Sequence, residues 1–302
     1  MASSAPHPPT PAGDRPPPVF VLGFHRGGTT FVQRLLNCHR RVTIWGENAG
    51  LVGELRRVVE RLAASHVVRG KVDAEAYREF NDFANRFKPW ASPFTIDDLV
   101  AAAARMLESL YGDPADPGRV WGFKEIRHLD VEDIEFFYRL FPGCRMILLV
   151  RHPKSLLLSQ LFVRWSDGAT AASPEEATRE AIAAYARAVD AMLVAAERHA
   201  AQAVVLRYES IHPDGITETL FAPLGLADSG LDRGLLETVL RSRVGSSFAD
   251  VGREVDEAIA RRVGAAYDAL VEPTLAETAS ATALEAVKAW YPSLLEAVKG
   301  GV

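Results

Sequence analysis

The chain has 302 residues, with 34 Lys and Arg against 39 Asp and Glu, a formal net charge of −5 and 48% hydrophobic residues. That is enough apolar material for the core of one α/β domain, and the acidic balance argues against a protein that coats nucleic acid, although a local basic cluster can still hold a small anion. No apolar run reaches the ~20 residues of a membrane-spanning helix, and the two cysteines, Cys38 and Cys144, stand in no metal-ligand spacing and read as reduced packing residues.

In chain order, residues 1–18 are rich in Pro, Ser and Ala and are predicted to be disordered. They lack the basic start and apolar stretch of a secretory signal, so a soluble cytoplasmic protein is expected. The Arg- and Ala-rich composition fits a high-GC bacterium. The folded part, residues 19–302, reads as a single domain. "VFVLGF" is a buried strand, and "TTFVQRLLNC" opens a helix with Thr30 near its N-cap and Phe31, Val32, Leu35 and Leu36 on one face. "RVTIW" (41–45) is a second strand. Residues 51–118 read as mostly helical, with Thr95 and Asp98 in capping-box spacing and Gly112 as a stop. "RVWGFKE" (119–125), "CRMILLV" (144–150) and "AVVLRYE" (203–209) are further strands. A helix over "DVEDIEFFYRLF" and a long amphipathic helix from Pro174 to about Ala200 separate them, and the remainder reads as largely helical. Strands alternating with helices predict a three-layer α/β fold around a parallel sheet, with ligands beyond the carboxyl ends of the strands.

The first such end carries a phosphate-loop frame. Gly23 is followed by Phe24, His25, Arg26, Gly27, Gly28, Thr29 and Thr30, so Thr29 stands where nucleoside triphosphatases and kinases place the lysine that reaches the β- and γ-phosphates. The glycines and the helix start still suit an anion, and Arg26 supplies a cation inside the loop. A second candidate anion site is "RMILLVRHPKSLLLSQ", where Arg151 ends a strand and Ser159 follows eight residues later. Arg offers a fork of donors and Ser a directional bond, a pairing suited to one phosphate.

"GFHRGGTTFVQRLL" and "LVRHPKSLLLSQ" together resemble the two nucleotide motifs of the sulfotransferases that use 3′-phosphoadenosine 5′-phosphosulfate (PAPS). The likeness covers residues 19–50 and 119–165 and is closest to the bacterial, glycan and tyrosylprotein branch of these P-loop enzymes. Gly27 replaces that family's usual Ser. The resemblance implies that Arg26 contacts the phosphosulfate, that Gly27, Gly28, Thr29 and Thr30 cradle the 5′-phosphate, and that Arg151 and Ser159 hold the 3′-phosphate. It further implies transfer of the sulfuryl group to a hydroxyl of a small molecule or glycan, with release of adenosine 3′,5′-bisphosphate (PAP) and no metal.

Glu47, in "VTIWGENAGL" 21 residues after Arg26, is the first candidate for the general base, with His128 second and His25 and His152 as rivals. Lys124 lies in "GFKEIRH", similar to the family's Lys-x-Pro-Arg-His segment with Ile126 in place of Pro, and is implied to stabilise transition-state charge beside Arg26. A Lys pairing with Glu125 or Glu47 for structure is the plainer alternative. Tyr208, in "LRYES", is either a nucleotide contact or a packed core tyrosine. Ser246 and Ser247 lie near the place of a serine that acts on the sulfate in the tyrosylprotein enzymes. The helical region 51–118, with Phe80, Phe83, Phe87 and Trp90, is expected to form either the acceptor wall or core packing, and residues 163–173 a lid. A P-loop kinase and a non-catalytic nucleotide-binding module remain the competing functions.

Overall fold

The computed structural model describes residues 15–65, 94–127, 129–152, 156, 174–226 and 228–245, with side chains omitted at 174–180, 182 and 242–245. Five strands, β1 (Val19–Gly23), β2 (Val42–Trp45), β3 (Val120–Glu125), β4 (Arg145–Val150) and β5 (Ala203–Arg207), form one sheet in the order β2-β3-β1-β4-β5. Every pairing is parallel. β1 is central and entirely buried, as its unbroken run of apolar side chains requires when both faces are covered.

Alternation along β1 divides the core. Phe20 and Leu22 face the layer that holds α2 (Leu51–Ala64), α3 (Ile96–Tyr111), α4 (Val131–Leu140) and α5 (Pro174–Arg198). Val19 and Val21 face α1 (Thr29–Leu36), the short turns between Tyr208 and Leu224, and α6 (Arg233–Gly245). The result is the three-layer α/β architecture expected. Gly122 sets the approach of β3 to β1, since a Cβ there would lie 1.6 Å from the Val19 carbonyl oxygen. Any larger residue would push the two strands apart.

The capping box at Thr95 forms as read, with Asp98 accepting from the Thr95 N–H and Thr95 Oγ1 accepting from the Asp98 N–H. Two expectations need correction. The N-cap of α1 is Gly28, not Thr30, because a left-handed residue (φ 98°) is what turns its carbonyl to accept from Phe31 and Val32. The fifth strand stops at Arg207, where Tyr208 folds back towards the phosphate loop and begins a short 3₁₀ turn. Among the described residues after it, 3₁₀ and π turns at Thr217–Leu224 and Asp228–Gly230 and the helix α6 make the stretch largely helical, as read, while residues 246–302 lie outside the described residues. The helices expected within 51–118 are α2 and α3, and both pack into the core with α4. Phe80, Phe83, Phe87, Trp90 and residues 163–173 lie outside the described residues, as does the Pro-rich start as far as residue 14.

Candidate active site

The parallel sheet brings the carboxyl ends of β1, β2, β3 and β4 to one edge, and the charged residues singled out in the sequence gather there. At the end of β1 the backbone does most of the shaping. Arg26 adopts φ 62° and Gly28 φ 98°, and the Gly27 N–H closes a turn on the Phe24 carbonyl at 2.9 Å. Phe31 supplies the first N–H bonded back to Gly28, so the N–H groups of Thr29 and Thr30 precede it and point out of the helix N-terminus. The first turn of α1 has no acidic residue, whereas α2, α3 and α4 each carry Glu or Asp there. Its dipole is therefore uncompensated at its N-terminus, as an anion site requires. Thr29 is buried, and its methyl packs where Gly23 leaves room: a Cβ on Gly23 would come within 2.7 Å of it.

The second motif meets the first. Arg151 Nη1 donates to the Arg26 carbonyl at 2.8 Å, across 125 residues of sequence. The same guanidinium lies 4.5 Å from the centroid of the Tyr208 ring, a cation–π contact. Tyr208 in turn presses on the loop so closely that a Cβ at Gly28 would approach its ring to 2.4 Å. The Arg151 segment is pinned twice more. The Tyr185 hydroxyl of α5 donates to the Arg151 carbonyl at 2.6 Å, and Glu209 accepts from the His152 N–H at 2.9 Å. Ser159 lies outside the described residues, as do His128, Ser246 and Ser247.

Beyond β2 and β3 the site is built from charge. Lys124 lies on β3 in register with Val21 of β1 and is buried to 6% exposure. Its ammonium donates to Glu47 Oε1 at 2.5 Å, while Arg127 Nη1 donates to Glu47 Oε2 at 3.1 Å. Partial burial pushes the Glu47 carboxyl up, but the Lys124 ammonium and the Arg127 guanidinium outweigh it and hold Glu47 below the ordinary carboxylate range. Glu47 is therefore an anion at neutral pH, its charge balanced by Lys124 and Arg127. His25 is nearby. Burial and the Arg127 charge lower its imidazole below its ordinary value, against the opposing pull of Glu47 and Glu125.

Sequence reading missed two members of this cluster. Arg127 was unassigned, and Glu125 entered only as an alternative partner for Lys124. Glu125 is 2% exposed and accepts from three backbone N–H groups, Gly50 at 2.8 Å, Ile126 at 2.8 Å and Arg127 at 3.1 Å. The available signal was a charged residue in the last position of a strand otherwise buried on both faces.

Beside this cluster a cleft of about 630 Å³ opens between α4 and α5. Phe24, Ile126 and Leu129 line one side and Ala184, Ala188 and Ala191 of α5 the other, with His25 and Arg127 at the end next to Glu47. Among the described residues no cluster of His, Cys, Asp and Glu could hold a metal ion, and no helix is long and apolar enough to cross a membrane.

The sequence pattern of the sulfotransferase family matches residues 17–229, which include every element from β1 to the turns after β5. The chain belongs to the sulfotransferase family. Solved structures with similarity to it include the sulfotransferase domain of the Synechococcus PCC 7002 olefin synthase, 18% identical over 93% of this chain and 96% of that one, with a TM-score of 0.49. A sulfotransferase from Alicyclobacillus acidocaldarius is 16% identical over 84% and 95% of the two chains, TM-score 0.43. Sulfotransferase STF1 of Mycobacterium tuberculosis H37Rv is 16% identical over 85% and 77%, TM-score 0.46. Among curated proteins none matches.

Proposed function

We propose that this sulfotransferase takes its sulfuryl group from PAPS and transfers it to a hydroxyl of a small-molecule or glycan acceptor, as a soluble cytoplasmic enzyme that needs no metal. The observation that carries the donor assignment is the bond from Arg151 to the Arg26 carbonyl. It brings a guanidinium suited to a 3′-phosphate beside the loop suited to a 5′-phosphosulfate, which supports PAPS over ATP because ATP has no 3′-phosphate. Thr29 in place of a γ-phosphate lysine supports the same choice.

In this reading the α1 N-terminus, with Gly27, Gly28, Thr29 and Thr30, cradles the 5′-phosphate, and Arg26 reaches the phosphosulfate. Arg151 and Ser159 hold the 3′-phosphate, and Tyr208 stacks beside them. Glu47 takes the proton of the acceptor hydroxyl, whose oxygen forms a bond to sulfur as the bond from sulfur to the phosphate oxygen breaks. PAP departs with the bonding pair. Lys124 leaves Glu47 for the sulfuryl oxygens and leaving oxygen as charge builds there, since transfers of this type are accelerated chiefly by placed charge and orientation. Lys124 release unmasks the base at the moment the donor is in place. His128 is the second candidate for the base.

The test is a thermal-shift comparison of PAP, AMP, and ATP with Mg²⁺. A ligand at about 100 times its dissociation constant adds ~2.7 kcal/mol, worth roughly 5 °C or more in a chain of this size. PAP is expected to give the largest shift. A shift with ATP and Mg²⁺ but none with PAP overturns the donor assignment.

A further inference from the structure

The cleft between α4 and α5 is assigned no role by the family motifs, and it differs from the expected acceptor region at 51–118. His25 and Arg127 are part of its lining, and Arg127 is bonded to Glu47. A ligand seated in it therefore touches His25 and the guanidinium that is bonded to the residue proposed as the base. Its volume falls within the range of small-molecule sites. Ala184, Ala188 and Ala191 repeat along one face of α5 and leave a trough about 10 Å long, from the helical rise of ~1.5 Å per residue. The floor is apolar. At the rim, Asp130, Glu132 and Asp190 set three carboxylates against Arg127, which is already engaged by Glu47 and Glu125, and Arg187.

We infer that this cleft is the acceptor site, and that it takes a neutral, largely apolar alcohol or phenol rather than an anionic glycan. The inference rests on the sulfuryl-transfer reading and narrows it. A polyanionic glycan would set its charges against the rim carboxylates and the acidic first turn of α4, and would leave the apolar floor unfilled. A flat or chain-like alcohol covers the apolar lining and can place its hydroxyl beside His25 and Arg127, the latter bonded to Glu47.

The experiment measures sulfuryl transfer from radiolabelled PAPS to 2-naphthol, glucose and O-desulfated heparin, with wild type and Ala184→Phe. Turnover is expected with 2-naphthol. Ala184→Phe, which fills the trough from a half-buried position, is expected to lower kcat/KM for 2-naphthol by about tenfold or more, the scale of a few misfitted carbons, while the PAP thermal shift is unchanged. Turnover of heparin but not 2-naphthol overturns the inference, as does turnover of none of the probes by a protein that PAP still stabilises, or an Ala184→Phe variant with unaltered kinetics. Absence of any PAP shift in wild type would instead remove the donor reading.

A second inference stands on a separate observation. The Glu125 carboxylate joins two loops: one oxygen accepts from the Gly50 N–H, three residues after Glu47, and the other accepts from the Ile126 and Arg127 N–H groups, in the segment that follows Lys124. Ala49 and Gly50 are both left-handed, φ 58° and 81°, a backbone bend that brings the Gly50 N–H onto this buried carboxylate. The geometry points to Glu125 as a positioning residue that holds Glu47 between Lys124 and Arg127. This too rests on Glu47 acting as the base. A Gln in its place keeps the shape but offers one accepting oxygen, so one loop is released.

In Glu125→Gln, kcat is expected to fall about tenfold or more with KM for PAPS nearly unchanged, the signature of lost transition-state alignment. The acid limb of the pH–kcat/KM profile is expected to move up as Glu47 loses its fixed cations. A variant with lowered Tm but wild-type kcat and acid limb would make Glu125 purely structural and overturn the inference. A wild type that PAP does not stabilise would count against the donor reading and not against Glu125.

Discussion

The phosphate loop and the Glu47–Lys124–Arg127 cluster share one edge of the sheet, yet they are shaped by different means. The loop owes its form to backbone: left-handed Arg26 and Gly28, a turn closed at Phe24 and a helix start without acidic side chains. The cluster owes its form to side chains in mutual ion pairs, locked by one buried carboxylate. The loop is therefore complete before a ligand arrives, whereas the cluster is neutralised by its own members and must be opened. In the proposed reaction a donor that attracts Lys124 opens it, and a base masked until then favours transfer over loss of the sulfuryl group to water.

Breaking the cluster should cost the most. Glu47→Gln removes the proton acceptor and is expected to lower kcat by about 10²–10⁴, the usual range for a general base, with the PAP shift preserved. Wild-type turnover in that variant would pass the role to His128. Lys124→Ala should lower kcat by about 10²–10³ through loss of one transition-state donor. It should also raise the acid limb of the pH profile. Glu47 is held below its ordinary value, so wild type keeps its ionised base through neutral pH and loses activity only on acidification below the usual carboxylate range; without Lys124 that loss begins at higher pH. An unmoved limb in stopped-flow or steady-state profiles would place the titrating base elsewhere.

Breaking the loop should be gentler on chemistry and harder on binding. Arg151→Ala is expected to weaken PAP by roughly 10–100-fold, the scale of one charge-assisted hydrogen-bonded group, and AMP much less, by calorimetry. Equal losses for both ligands would remove the 3′-phosphate role. The smallest effect is on stability. Gly28→Ala forces a left-handed alanine, at about 1–2 kcal/mol, and moves Tyr208. Tm is expected to fall by roughly 2–4 °C for each kcal/mol in a chain of this length. An unchanged Tm would mean that Tyr208 yields freely.

Much of this was legible in the sequence for physical reasons that can be named. Five short apolar runs bounded by Gly, Pro or charge became five parallel strands, because a strand buried on both faces needs an unbroken apolar run. The capping box at Thr95 is a local pattern with a local outcome. The strand order was not legible, since pairing is decided by the packing of whole layers. The same is true of Tyr208, whose place against Gly28 and Arg151 depends on β5 lying next to β4. Thr30 was a sound N-cap by side-chain chemistry, yet the conformation of Gly28 took precedence. Glu125 was hidden because its three partners are backbone groups, which leave no trace in side-chain spacing.

Tyr185 follows Ala184 on α5. Its hydroxyl holds the Arg151 carbonyl, while its neighbour lines the cleft. One rigid rod thus borders both substrates of the proposed reaction. Were an acceptor in the proposed cleft to shift this helix, the Arg151 carbonyl would shift with it, and each ligand would then change the other's affinity by the same factor. An enzyme with such a shared wall has a sense of order, in which the occupant of one compartment sets the reception given to the other.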